Sequence, residues 1–179
     1  MKAALRRLLR GRESALVLPI ETARGPVIAA LGRTPPAWTS GMPPHVTVLY
    51  PFIPARRLNA AAIDELRDLI AAVPAFELSL ASVGRFPGVL HLQPEPAEPF
   101  VALTEAIVAR WPEHPPYGGA YASVVPHVTV AEGAEPGGVA ERLLQALPIA
   151  ATAEEVWVMC EARGGGWRRR AALALGRPA

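Results

Sequence analysis

The stretch Pro44-His45-Val46-Thr47-Val48 recurs residue for residue as Pro126-His127-Val128-Thr129-Val130. Each copy couples an imidazole to a hydroxyl two residues further on. An imidazole has an ordinary pKa of about 6.5, so it both takes and gives protons near neutral pH. Two imidazoles sharing one small volume can divide that work, the neutral one as general base and the protonated one as general acid. A hydroxyl beside each can donate hydrogen bonds to oxygens that gain charge in a transition state. This chemistry asks the fold for two things: each His must share a face with its Thr, and the two copies must meet.

The local pattern supplies the first. Both copies are rich in β-branched residues and alternate polar with apolar, which predicts strands. Side chains two apart on a strand point to one face, so His45 lies with Thr47 and His127 with Thr129. Val46, Val48, Val128 and Val130 then turn the other way, into a core. Pro44 and Pro126 suit the first residue of a strand, where no ladder donor is needed.

The paired tetrads His45-Val46-Thr47-Val48 and His127-Val128-Thr129-Val130, one in each half, resemble the hallmark of the two-histidine (2H) phosphoesterase superfamily, which includes the 2′-5′ RNA ligase-like proteins. The similarity extends to Leu49-Tyr50-Pro51-Phe52 and to residues 83–119, and so covers most of the chain beyond residue 13. The resemblance implies an α+β fold: two pseudosymmetric lobes of a duplicated unit, with antiparallel sheets lining a central cleft and helices outside. It implies His45, Thr47, His127 and Thr129 as the catalytic set. The implied reaction is metal-independent opening of a 2′,3′-cyclic phosphate on an RNA end or a small cyclic nucleotide, without a cofactor; 2′-5′ RNA ligation is its reverse. Aromatic residues in the accompanying loops, Tyr50, Phe86 and Tyr117, are candidates for stacking on a base. Arg85 and the run Arg168-Arg169-Arg170 are candidate phosphate contacts, with a solvated strand face as the alternative for the triplet.

Length and composition fit this reading. A chain of 179 residues, half of it apolar, builds one domain or two small lobes around a real core. A net charge of +2 does not by itself announce nucleic-acid binding. One cysteine, Cys160, permits no internal disulfide and suits the reducing cytoplasm; it lies in an apolar run and reads as a buried, inert thiol. No apolar run reaches the ~20 residues of a membrane span, so a membrane is not an expected partner. Nothing in the sequence demands more than a monomer. Residues 1–13 form a basic leader carrying Arg6, Arg7, Arg10 and Arg12, without the apolar core of a secretory signal. The phosphoesterase-like domain is then residues 14–179.

The elements that must position the motifs are legible in outline. Residues 14–20 read as an opening strand, and Pro26 as the start of a short helix to Leu31. Residues 33–44, rich in Pro, Gly, Ser and Thr, form a loop that delivers the first motif. Asn59 is a helix N-cap, followed by the stripe Ile63, Leu66, Ile70 and Val73 and stopped by Pro74. Residues 76–83 and 89–92 read as a hairpin around Phe86-Pro87-Gly88. Residues 94–99 read as a Pro-rich hinge between halves, ahead of a helix with the stripe Phe100, Leu103, Ile107 and Trp111. Residues 112–120 deliver the second motif. A third helix carries Val139, Leu143, Leu144 and Leu147, and strands at 155–161 and 167–175 close the chain around Gly164-Gly165-Gly166.

Other chemistries fit less well. His91 interrupts an apolar run, and a structural role or a place in the cleft are both open to it; His114, in a turn, reads as a surface residue. A metal site drawn from His45, His127, His91 and Glu95 lacks the short ligand spacing of zinc sites. No Gly-x-Ser-x-Gly elbow is present, and the glycine triplet lacks the Lys-Ser/Thr ending of a P-loop. The alternative of another class is a non-catalytic module that binds RNA or nucleotides through the same cleft.

Overall fold

The computed structural model describes residues 12–121, 123–133 and 137–177. Arg6, Arg7 and Arg10 of the basic leader lie outside them. Its strands are β1 (Ser14–Pro19), β2 (His45–Leu49), β3 (Phe76–Phe86), β4 (Val89–Glu95), β5 (Val128–Glu132), β6 (Ile149–Ala153), β7 (Glu155–Glu161) and β8 (Trp167–Ala174). Its helices are α1 (Arg24–Leu31), α2 (Pro36–Thr39), α3 (Ala60–Ala71), α4 (Glu98–Arg110) and α5 (Val139–Ala146). All eight strands join one sheet in the order β6-β3-β4-β5-β2-β1-β7-β8, and every neighbouring pair is antiparallel.

The two histidine strands are the middle of that sheet. Between them β2 and β5 meet through Val46 opposite Val128. On either side the sheet repeats itself. Leu18 opposite Val46 and Val17 opposite Thr47 correspond to Leu92 opposite Val128 and His91 opposite Thr129. The register shifts match too, between Leu16 and Val17 in one half and between Leu90 and His91 in the other. The expected duplication is therefore present as two four-stranded halves of a single sheet. They are not consecutive in sequence, because β1 and β2 share one half with β7 and β8, joined by the β1–β7 pair, while β3 to β6 form the other half.

Register is held by what each face buries. Val46, Val48, Val128 and Val130 are at most 2 % exposed and join the main core with Leu66, Leu103, Ile107 and Phe100 from the helices. Burying each such side chain stabilises by roughly 1.5–3 kcal/mol. A slip of one residue would exchange them for two imidazoles and two hydroxyls, so the pattern locks the polar face away from the core. The Thr104 hydroxyl ties α4 to β2 by donating to the Val48 carbonyl at 2.8 Å. Asn59 caps α3 as expected, its side chain accepting from the Ala62 amide at 2.9 Å.

Several expectations need correction. Residues 94–99 are not a hinge between halves: Pro94 and Glu95 complete β4, and α4 starts at Glu98. β3 continues past Val83 to Phe86, which brings that ring to the edge of the histidine cleft. The Ala-rich segment Ile149–Ala153 is an additional strand, pairing with β3. In α5 Val139 and Leu143 are buried, whereas Leu144 is 57 % exposed. His114 is not a free surface residue; its ring packs edge-on against Phe52, 5.7 Å between centroids. Cys160 is half-buried, and that burial pushes its thiol pKa up, in keeping with an unreactive group. Among the described residues, no helix is long and apolar enough to cross a membrane.

Candidate active site

Both histidines are fixed in the same way. The His45 Nδ1 lies 2.7 Å from the Pro43 carbonyl, and the His127 Nδ1 lies 2.8 Å from the Val125 carbonyl. A carbonyl oxygen only accepts, so each Nδ1 carries the hydrogen and each Nε2 is left for chemistry. In each copy the donor reaches back two residues, to the backbone just ahead of the strand. The leading prolines hold that backbone extended. His45 opens β2, and His127 stands one residue ahead of β5. An antiparallel register centred on Val46 and Val128 directs His45 toward Thr129 and Thr47 toward His127.

These four residues line one cleft of about 800 Å³, within the range of small-molecule sites. Its walls come from three places: the loop before β2 with Arg33 and Trp38, the β3–β4 turn with Phe86 and Pro87, and the loop before β5 with Tyr117 and Tyr121. Of the three aromatic candidates, Phe86 and Tyr117 line the cleft. Tyr50 does not. Its hydroxyl donates to the Glu13 carboxylate, and its ring meets Trp167 edge-on at 6.1 Å. With Ala15, Val17, Met42 and Met159 these rings fill the polar side of the β1–β7 half. The turn at Ser40 and Gly41 closes over them, and the Trp167 amide donates to the Ser40 carbonyl at 2.7 Å. Gly41 is required there: it has φ +96°, and a Cβ would stand 2.3 Å from the Trp167 carbonyl oxygen. The cleft is therefore packed shut on the β1–β7 side.

Tyr50 still contributes through its backbone, since its carbonyl accepts from the Tyr117 amide at 2.6 Å. Tyr117 adopts the left-handed conformation at φ 52°, uncommon for a residue with a Cβ. Burial pushes its phenol pKa up, and a hydrogen bond with Thr47 acts against that rise. Arg85 is exposed and alternates with the cleft-lining Phe86 on β3. Arg169 stacks over Trp157 at 4.3 Å and Arg170 donates to the Leu58 carbonyl at 3.1 Å, so neither stands at the cleft. Sequence reasoning missed Arg33, Trp38 and Tyr121. The available signal was that they belong to, or directly follow, the loops that deliver the motifs.

His45 has its pKa lowered from the ordinary 6.5, first by burial and further by the like charge of His127; the Pro43 carbonyl acts in the opposite direction. Burial likewise lowers His91 and His114. When the folded pKa lies below the unfolded one, the unfolded chain binds more protons between the two values. Stability is then fully present above the unfolded pKa and declines as pH falls through the folded one. We expect the melting temperature to be flat above pH ~6.5 and to fall on acidification below it. Thermal scans from pH 8 to 4.5 check this; a rise in melting temperature over the first unit below 6.5 would contradict it.

Among the described residues, no three of His, Cys, Asp and Glu are grouped so as to hold a metal ion. The arrangement instead places two oriented imidazoles and two hydroxyls around one volume, as acid–base attack at a tetrahedral centre requires.

Comparison with known proteins agrees with the fold. A crystal structure of E. coli LigT complexed with 3′-AMP matches with a TM-score of 0.59 and 15% identity, over 92% of this chain and 98% of that one. The Thermus thermophilus protein TT0787 matches with a TM-score of 0.65 and 18% identity, over 93% and 100%. E. coli LigT complexed with NADP+ matches at 0.56 and 16%, over 93% and 99%. At such identities the likeness is one of fold. No curated protein sequence matches the chain. The model of the 2′-5′ RNA ligase superfamily matches residues 13–165, a span that contains both His-x-Thr motifs. The chain belongs to that superfamily.

Proposed function

We propose that the cleft hydrolyses 2′,3′-cyclic phosphodiesters at RNA ends or on small nucleotides by two-histidine acid–base catalysis, independent of metal, with 2′-5′ ligation as the reverse reaction. The observation that carries this reading is the mirrored pair of Nδ1–carbonyl bonds, which leaves both Nε2 atoms available at one cleft. Burial favours the neutral form of His45, so His45 is the base that takes a proton from the attacking water. With His45 as base, His127 takes the part of the acid and delivers a proton to the departing 2′ or 3′ oxygen. The water oxygen bonds to phosphorus as the ring P–O bond breaks, giving a phosphate monoester and a free hydroxyl. Thr47 and Thr129 donate to the non-bridging oxygens. Tyr117, Tyr121, Phe86 and Trp38 offer faces for a base, and Arg33 offers a charge for a phosphate. The 3′-AMP and NADP+ complexes of E. coli LigT support nucleotide chemistry for the substrate.

The test is turnover of a panel of 2′,3′-cyclic nucleotides and cyclic-phosphate-ended oligonucleotides by purified protein. We expect a bell-shaped rate profile whose acid limb reports loss of the neutral base and whose alkaline limb reports loss of the protonated acid. Activity is expected to persist in EDTA. Nucleotide binding without turnover across the panel would identify a binding module instead.

A further inference from the structure

The duplication is broken at one position beside the catalytic pair. His91 occupies on β4 the place that Val17 occupies on β1, each directly across from the threonine of its motif. An apolar side chain therefore satisfies the fold there, yet this half carries an imidazole that is 1 % exposed. Among the described residues neither of its ring nitrogens has a hydrogen-bond partner. Unpaired buried nitrogens destabilise a fold, so packing alone does not explain them.

Its neighbours say what it touches. Phe86 lies flat on the His91 ring, with centroids 4.0 Å apart and planes 20° from parallel. Both rings meet His127 edge-on: Phe86 at 5.0 Å and 83°, His91 at 5.2 Å and 63°. Room for the stack comes from Gly84, opposite His91 on β3, where a Cβ would stand 2.3 Å from the His91 Nε2. In the other half, the position opposite Val17 is Trp157. Among the described residues, His45 makes no such ring contact.

Resting on the hydrolytic reading above, we propose that Phe86 and His91 form an aromatic platform that holds the His127 imidazole in its working orientation, making the two duplicated histidines unequal. They are positioning residues. His127 stands beside the stack and meets its two rings at 83° and 63°, so the pair fixes the plane of its imidazole. Burial lowers the His91 pKa from the ordinary 6.5, and the like charge of His127 lowers it further. The platform thus fixes the orientation of His127, while His45 has only its backbone carbonyl to do so. The other titratable or charged groups at the cleft are His45, Tyr117, Tyr121, Arg33 and Glu132, and all remain in the variants below.

The experiment compares wild type with His91→Val, His91→Phe and Phe86→Leu. Three readouts are taken on each: kcat and KM against pH for a 2′,3′-cyclic nucleotide, the melting temperature, and the His127 ring proton in an NMR pH titration. His91→Val, which copies the other half, should lower kcat by about tenfold or more with KM little changed. The alkaline limb and the His127 titration should move together. His91→Phe restores a ring and should recover most of both. Neither His91 variant should melt below wild type, because each removes the unpaired nitrogens. Phe86→Leu should shift the His127 titration in the same direction and guards against a His91 variant that misfolds. An unmoved His127 titration in both His91→Val and Phe86→Leu would overturn the platform. So would a His91→Phe variant as impaired as His91→Val, since the ring would then not be what matters. If no cyclic phosphodiester is turned over even by wild type, the hydrolytic reading fails, and the titration still decides the platform.

Discussion

Alanine in place of either His45 or His127 is expected to lower kcat for a 2′,3′-cyclic nucleotide by about 10²–10⁴-fold, the contribution of one positioned acid or base. The fold should survive. Each ring is only partly buried on the polar face of its strand, and the valines that anchor β2 and β5 are untouched. The double variant should lose less than the product of the two single losses, because base and acid act in one step and removing one idles the other. Steady-state rates with circular dichroism on the same samples check this. A single alanine variant with wild-type turnover would remove that histidine from the mechanism.

The threonines should show the second largest effect. Valine keeps the shape and β-propensity of threonine but takes away its hydroxyl. Thr129→Val should cost about 10²-fold in kcat, as for a lost donor to an oxyanion, with a smaller change in KM. Thr47→Val should cost at least as much, since it also frees the half-buried Tyr117 phenol from its hydrogen bond. Serine at either position should recover most of the rate. Equal losses in kcat and affinity for a product monoester would point to ground-state binding instead. Comparing kcat with product inhibition separates the two.

The site was legible because its determinants are local. Period-two alternation and β-branching suffice to put His45 with Thr47 and His127 with Thr129, and both tetrads bury in the same alternating pattern. What surrounds them depends on partners distant in sequence. Tyr50 follows the first motif and looks available, but Met42 and Trp167, on the chain's two sides of it, fill the space it would need. Ile149–Ala153 carries three alanines and pairs with β3, about seventy residues earlier, so its strand character comes from the neighbour. His91 interrupts its apolar run because the position meets His127, a contact that the local pattern does not encode. The strand order itself was hidden for the same reason.

That order has a consequence for how the protein is made. β3, β4 and β5 are sheet neighbours, with a hairpin between the first two, and can assemble soon after they emerge from the ribosome. β1 and β2 are synthesised earlier, but the β1 edge opposite β2 is covered only by β7. β1, the strand beside the one bearing His45, therefore waits, half-paired, for a segment made more than a hundred residues later. During translation the younger half should gain protease resistance first, and the older half should remain the substrate for chaperones until β7 arrives.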